Sequence, residues 1–132
     1  MKEDISKLLK LTFLIHFFVA VIFGLVFTVL VEAYFNFIGW LYLDDPVTGR
    51  VLGAMFLGLA AASLLSWRET KWESVKIVVQ MEIVWLIIGI AVQIFAIFAF
   101  PGLPFMIWVQ TGILIFFLVA FMWFYYDQEW GK

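Results

Sequence analysis

Between positions 11 and 32, every residue that is not Leu, Ile, Val or Phe falls in one four-residue register: Thr12, His16, Ala20, Gly24, Thr28 and Glu32. Residues four apart stack on one face of a helix, so a narrow small-or-polar stripe runs through a wall of bulky apolar side chains. The stripe predicts a helix with one edge turned to protein and the rest to lipid. A second run, 50–67, repeats the spacing with Arg50, Ala54, Gly58, Ala62 and Ser66. From 77 to 126 the chain is apolar with Glu82 as its sole formal charge, and Pro101-Gly102-Leu103-Pro104 interrupts it. Two prolines bracketing a glycine make a turn. The pattern predicts an all-α chain with four spans at about 11–32, 50–67, 77–100 and 105–126. Each is near the roughly 20 residues that cross a hydrocarbon core of about 30 Å. The expected architecture is a four-helix antiparallel transmembrane bundle, a single domain over 1–132.

Composition sharpens this picture. The chain is 66% hydrophobic and 14% charged, and a soluble domain of this length needs more polar residues than that to cover its exterior. The net charge of −2 does not point to nucleic acid. With no cysteine, disulfides, thiolate metal sites and cysteine nucleophiles are excluded.

Orientation follows from the flanking Lys and Arg. Lys2, Lys7, Lys10, Arg68, Lys71, Lys76 and Lys132 lie on the side of the N-terminus, with only Arg50 opposite. Both termini are therefore expected in the cytoplasm. Trp67, Trp72, Trp130 and Phe124-Tyr125-Tyr126 fall at the inner interface, and Trp40, Tyr42 and Trp108 near the outer one. The first apolar run exceeds the roughly 7 to 15 residues of a signal-peptide core, so it is expected to be retained as a helix.

Small residues let helices in lipid approach and gain dispersion contact. Ala20, Gly24 and Thr28 on the first span are expected to meet Ala54, Gly58 and Ala62 on the second, with Gly24 against Gly58 or Ala62 and an ion pair between Glu32 and Arg50. Successive i+4 positions drift by about 40°, so only the centre of the stripe can form one close crossing, and His16 is expected to face a different helix. Gly49 and Gly53 form a GxxxG, a spacing that more often marks packing than a ligand.

The most suggestive chemical pair is His16 with Glu82. Each lies six residues after a lysine, Lys10 and Lys76, at similar depth on helices running the same way. Ionisable groups inside a span usually face the bundle or a wet cavity, so a proton path or a grip on a polar head group is one reading, with Gln80, Gln93 and Gln110 extending a polar lining. The other is structural: Glu82 at the head-group boundary within reach of Lys76 or Lys10, and His16 as a packing hydrogen-bond donor. Trp85, well inside the third span, is the aromatic expected to line a groove for an apolar ligand. One histidine makes neither a His-rich metal site nor a di-iron cage. No Ser-His-acid set, phosphate-cradling loop or cofactor motif is legible.

The span order, the length, and Asp45-Pro46 followed by Arg50-Val51-Leu52-Gly53-Ala54 resemble DoxX-like small four-helix membrane proteins. That resemblance implies a fold more than a function, because the family's roles are varied. The sixty-six positions separating both Lys10 from Lys76 and His16 from Glu82 hint at a duplicated hairpin. Three functional classes stand: an assembly subunit of a larger membrane complex, which is favoured and non-enzymatic; a small oligomeric transporter or channel using His16 and Glu82; and a membrane enzyme or membrane-embedded lipid or quinone binder with Trp85 and His16 in its groove. Expected partners are the bilayer and other membrane subunits or further copies of the chain.

Overall fold

A computed structural model describes residues 2–40 and 45–131. Tyr42 and Lys132, both used in the topology argument, lie outside the described residues. The chain is all-α, with α1 Lys7–Val29, α2 Val31–Ile38, α3 Pro46–Arg68, α4 Trp72–Ala99 and α5 Met106–Trp130. All but α2 are long and apolar enough to cross a membrane. Large apolar side chains cover the outside of these four helices, among them Ile22, Met55, Ile88 and Val119. A soluble monomer rarely exposes so continuous a patch, so the surface points to membrane insertion.

The helix ends follow local chemistry. Ser6 caps α1 by accepting a hydrogen bond from Leu9 N at 3.1 Å. Asp45 caps α3 by accepting from Val47 N at 2.9 Å and from the Thr48 hydroxyl, with Pro46 in the first turn where a missing N–H costs nothing. The first apolar run does not continue unbroken to Glu32: Leu30 leaves helical geometry at φ −113°, and Glu32 lies in the first turn of the separate α2. Two residues earlier the Thr28 hydroxyl donates to the Gly24 carbonyl at 2.6 Å, a back-bond of the kind that bends helices. Gly39, at φ 73°, closes α2 and lets Trp40 N reach the Phe35 carbonyl at 2.9 Å. Between α4 and α5 lies the Pro-Gly turn, with Gly102 at φ 78°.

Helix α1 packs most extensively on α3, and α4 on α5, whereas α3 and α4 touch little. Two apolar clusters form. One gathers Leu9, Phe13, Trp72, Val75, Val79, Leu86, Phe117 and Phe121 near the N-terminal end of α1. The other gathers Phe27, Val31 and Phe35 around α2. The N-terminal segment ties the first end together: Ile5 N donates to the Thr70 carbonyl, Trp72 N to that of Glu3, and Lys2 N to that of Gln128. Asp4 pairs with Lys71 at 2.8 Å, and Lys2 with Asp127 at 2.7 Å.

The α1–α3 seam uses the expected edge of α1 but a different face of α3. Thr12, His16, Ala20 and Gly24 are buried. On α3 the buried positions are Gly49, Gly53, Ala60, Ser63 and Ser66, while Ala54 and Gly58 are exposed and Ala62 only half-buried. A Cβ at Gly53 would come within 2.6 Å of Thr28 N and 2.9 Å of the Gly24 carbonyl oxygen; one at Gly58 would meet nothing within 4 Å. The reason is geometric. A strict four-residue register winds off its neighbour by about 40° a step, whereas the buried α3 positions are separated by four, seven, three and three residues, mixed steps that stay close to whole helical turns and keep facing α1.

Candidate functional site

Three helices bring their polar residues together about two-fifths of the way along α1. His16 Nδ1 lies 2.7 Å from Ser63 Oγ on α3 and 3.7 Å from Glu82 Oε1 on α4. His16 is 4% exposed, and Ser63 and Glu82 are fully buried. The imidazole is held edge-on by Phe117 and Phe121 of α5, at centroid distances of 4.7 and 5.7 Å. Glu82 Oε2 accepts a hydrogen bond from Trp85 Nε1 at 2.5 Å, while Oε1 accepts none among the described residues. Such an orphaned buried oxygen is costly.

The His16–Glu82 pair expected from equal depth is thus brought together. Lys76, expected within reach of Glu82, instead pairs with Glu129 at 2.6 Å, and the Glu82 side chain is fully buried among the helices. His16 does face helices other than α3, through Glu82 of α4 and Phe117 and Phe121 of α5, but its hydrogen bond goes to α3, because the shift in α3's buried face carries Ser63 inward. A serine, a histidine and a carboxylate also do meet, although no such set was legible. They are not wired for nucleophilic catalysis. In that arrangement the serine and the acid hold opposite ring nitrogens, whereas here both approach Nδ1 and Ser63 is fully buried.

Above this cluster, between the α1–α3 and α4–α5 pairs, lies a cavity of about 450 Å³. Its wall is almost wholly apolar: Val19, Ala20, Phe23 and Phe27 of α1, Leu52, Met55 and Phe56 of α3, Trp85, Leu86, Ile88, Gly89 and Val92 of α4, and Ile113, Leu114 and Phe117 of α5. His16 is its polar group at one end, and Gln93 and Gln110 lie toward the other. Along α1 the lining runs from His16 to Phe27, about 16 Å at 1.5 Å per residue. Met55, Ile88 and Val92 line the cavity yet are 62%, 59% and 61% exposed, so it opens sideways between α3 and α4.

The remaining residues sort against this cavity. Gln93 accepts from the Thr111 hydroxyl at 2.9 Å, and Gln110 donates to the Tyr34 hydroxyl at 3.0 Å. Gln80 lies outside and donates to the Tyr125 hydroxyl at 3.0 Å. Glu82 does not line the cavity and reaches it only through His16 and Trp85. Glu32 and Arg50 meet at 2.9 Å on the surface, remote from the cavity. The Glu32 carboxyl is held below the usual range, first by a backbone hydrogen bond and then by the Arg50 guanidinium.

No family model matches the chain, and no curated protein or solved structure matches it. The DoxX-like layout therefore stands as a likeness of span order and one short segment.

The contributor that sequence reasoning missed is Ser63. Its signal was present: counting equally far back from Glu32 and forward from Arg50 sets His16 opposite Ser66, one turn from Ser63.

Proposed function

We propose that this chain is an integral membrane protein of four antiparallel spanning helices, with both termini in the cytoplasm, that holds an elongated apolar molecule between its two helix pairs. The observation that carries this reading is the laterally open cavity, whose volume of about 450 Å³ falls in the range of roughly 300–1,000 Å³ typical of small-molecule sites. Its apolar wall with few polar groups is the usual chemistry of such sites. The opening between α3 and α4 gives access from the hydrocarbon, where such a molecule would be dissolved. The lopsided Lys and Arg distribution supports the orientation. Conduction draws little support, because Gln80 lies apart from Gln93 and Gln110 and the wall between His16 and the glutamines is apolar.

The test is purification in mild detergent, solvent extraction, and mass analysis of the extract beside that of a cavity-filled variant, Gly89→Leu. A defined lipophile present with the native chain and depleted from the variant supports the reading; identical extracts overturn it.

The assembly-subunit reading is supported by a different observation. Phe98 and Phe105, 86% and 78% exposed, flank the α4–α5 turn with Trp108 and offer an aromatic knob to a neighbouring subunit. Co-purifying polypeptides lost on Phe98→Ala/Phe105→Ala would favour it; a lone chain with bound lipophile would not.

A further inference from the structure

We propose, resting on the ligand-binding reading, that the His16 end of the cavity selects a neutral carbonyl oxygen of the bound lipophile, which accepts a hydrogen bond from an imidazole N–H at Nε2 whose position is set by Ser63. Hydrogen-bond satisfaction carries the argument. Ser63 is fully buried, and its only side-chain hydrogen bond among the described residues is with His16 Nδ1 at 2.7 Å. A buried hydroxyl proton left unpaired is costly. That proton is satisfied when Ser63 donates to Nδ1, and the neutral ring then carries its own proton on Nε2. The opposite tautomer strands the serine proton and leaves Nε2 as a bare acceptor, and it gains no hydrogen bond in return, because Glu82 Oε1, the other acceptor facing Nδ1, lies at 3.7 Å, beyond hydrogen-bond reach. Nε2 makes no hydrogen bond among the described residues, and His16 lines the cavity. The ring therefore offers one unspent donor to whatever enters.

The nature of the partner follows from what surrounds that donor. Among the described residues no Lys, Arg, Asp or Glu lines the cavity, so a charged head group would enter an apolar chamber without a counter-charge. The Trp85 indole N–H is already given to Glu82. A single donor with no acceptor beside it fits a ketone, ester or quinone oxygen, and fits an ammonium or a carboxylate poorly. At the far end Gln93 keeps its amide N–H groups and Gln110 its carbonyl oxygen, so that end offers both a donor and an acceptor and does not discriminate between them. Ser63 is here a positioning residue: it touches no ligand and acts through the tautomer of His16.

The experiment measures saturation binding of two radiolabelled probes, a long-chain methyl ketone and the alkane of equal length, to the full chain in nanodiscs, with empty nanodiscs subtracted. The native chain is expected to bind the ketone about fivefold more tightly than the alkane, the effect of one net hydrogen bond. His16→Phe is expected to bring the two probes to equal affinity, with native-like helical circular dichroism and a cooperative thermal transition reporting that the variant is folded. Ser63→Ala, which frees the ring to change tautomer, is expected to lower ketone affinity and leave alkane affinity unchanged. Equal binding of the two probes by the native chain overturns the proposal and leaves the ligand-binding reading standing. A ketone preference that survives His16→Phe but disappears in Gln93→Leu overturns it as well, by assigning selection to the other end. Binding of neither probe removes the ligand-binding reading itself.

Discussion

The two faces that α1 presents to its neighbours are built on opposite rules. Toward α3 it offers Gly24 and Thr28 to Gly53, and the backbones come so close that a single Cβ at Gly53 would strike main-chain atoms at 2.6 and 2.9 Å. Toward α4 and α5 it offers Phe23 and Phe27 across an open cavity of about 450 Å³. Small side chains bring helices together, and bulky ones of mismatched shape hold them apart. In lipid, where apolar burial alone gives helices little reason to associate, the first face fixes the architecture and the second leaves room for a guest. The same molecule thus contains a seam with no slack and a chamber with a great deal.

The comparison breaks most directly at the seam. Gly53→Val should destabilise the chain by about 3 kcal/mol, the upper range for overpacking where backbone cannot yield. Gly58→Ala, which enters open space, should stay within about 0.5 kcal/mol; denaturant titration in bicelles measures both, and equal costs would end the distinction. At the chamber the order of effects should reverse. A Cβ at Gly89 meets Trp85 and Leu114 only at ordinary contact distances, 3.5 and 3.6 Å. Gly89→Leu should therefore leave stability nearly unchanged while lowering lipophile affinity about tenfold, or roughly 1.4 kcal/mol, in the nanodisc binding assay.

The exposed ties should rank below both. Lys2 and Asp127 pair at 2.7 Å with side chains about one-third exposed, so Lys2→Ala should cost less than about 1 kcal/mol and less again at high salt, as thermal unfolding across a salt series would record. The smallest effect is expected at Glu32. Because the folded state holds this carboxyl below its ordinary range, its contribution is present above the glutamate range and is lost as pH falls through the folded value. An acid titration of stability should therefore be slightly shallower in Glu32→Gln than in the native chain. A steeper dependence in the variant would reverse the sign of this argument.

The buried carboxylate and histidine show how far sequence reasoning reached. Equal spacing from Lys10 and Lys76 was enough to set His16 and Glu82 at one depth, and tertiary structure places them 3.7 Å apart. Spacing carried no information on which ring nitrogen faced Glu82, or that Ser63 would compete for it. Gln80, Gln93 and Gln110 looked equivalent as polar interruptions of apolar runs. They diverge because Gln80 turns outward to Tyr125, while the other two line the cavity.

By itself the sequence determined the number of long apolar helices, the Pro-Gly turn, the buried edge of α1 and the meeting of Glu32 with Arg50. These depend on local hydropathy, helical period and end-to-end order, all written along the chain. Tertiary structure decided which face of α3 meets that edge, where α1 gives way to α2, and that a cavity opens beside His16. Those outcomes depend on the volumes of side chains from four helices at once and on a few tens of degrees of helical rotation, and no single segment encodes either.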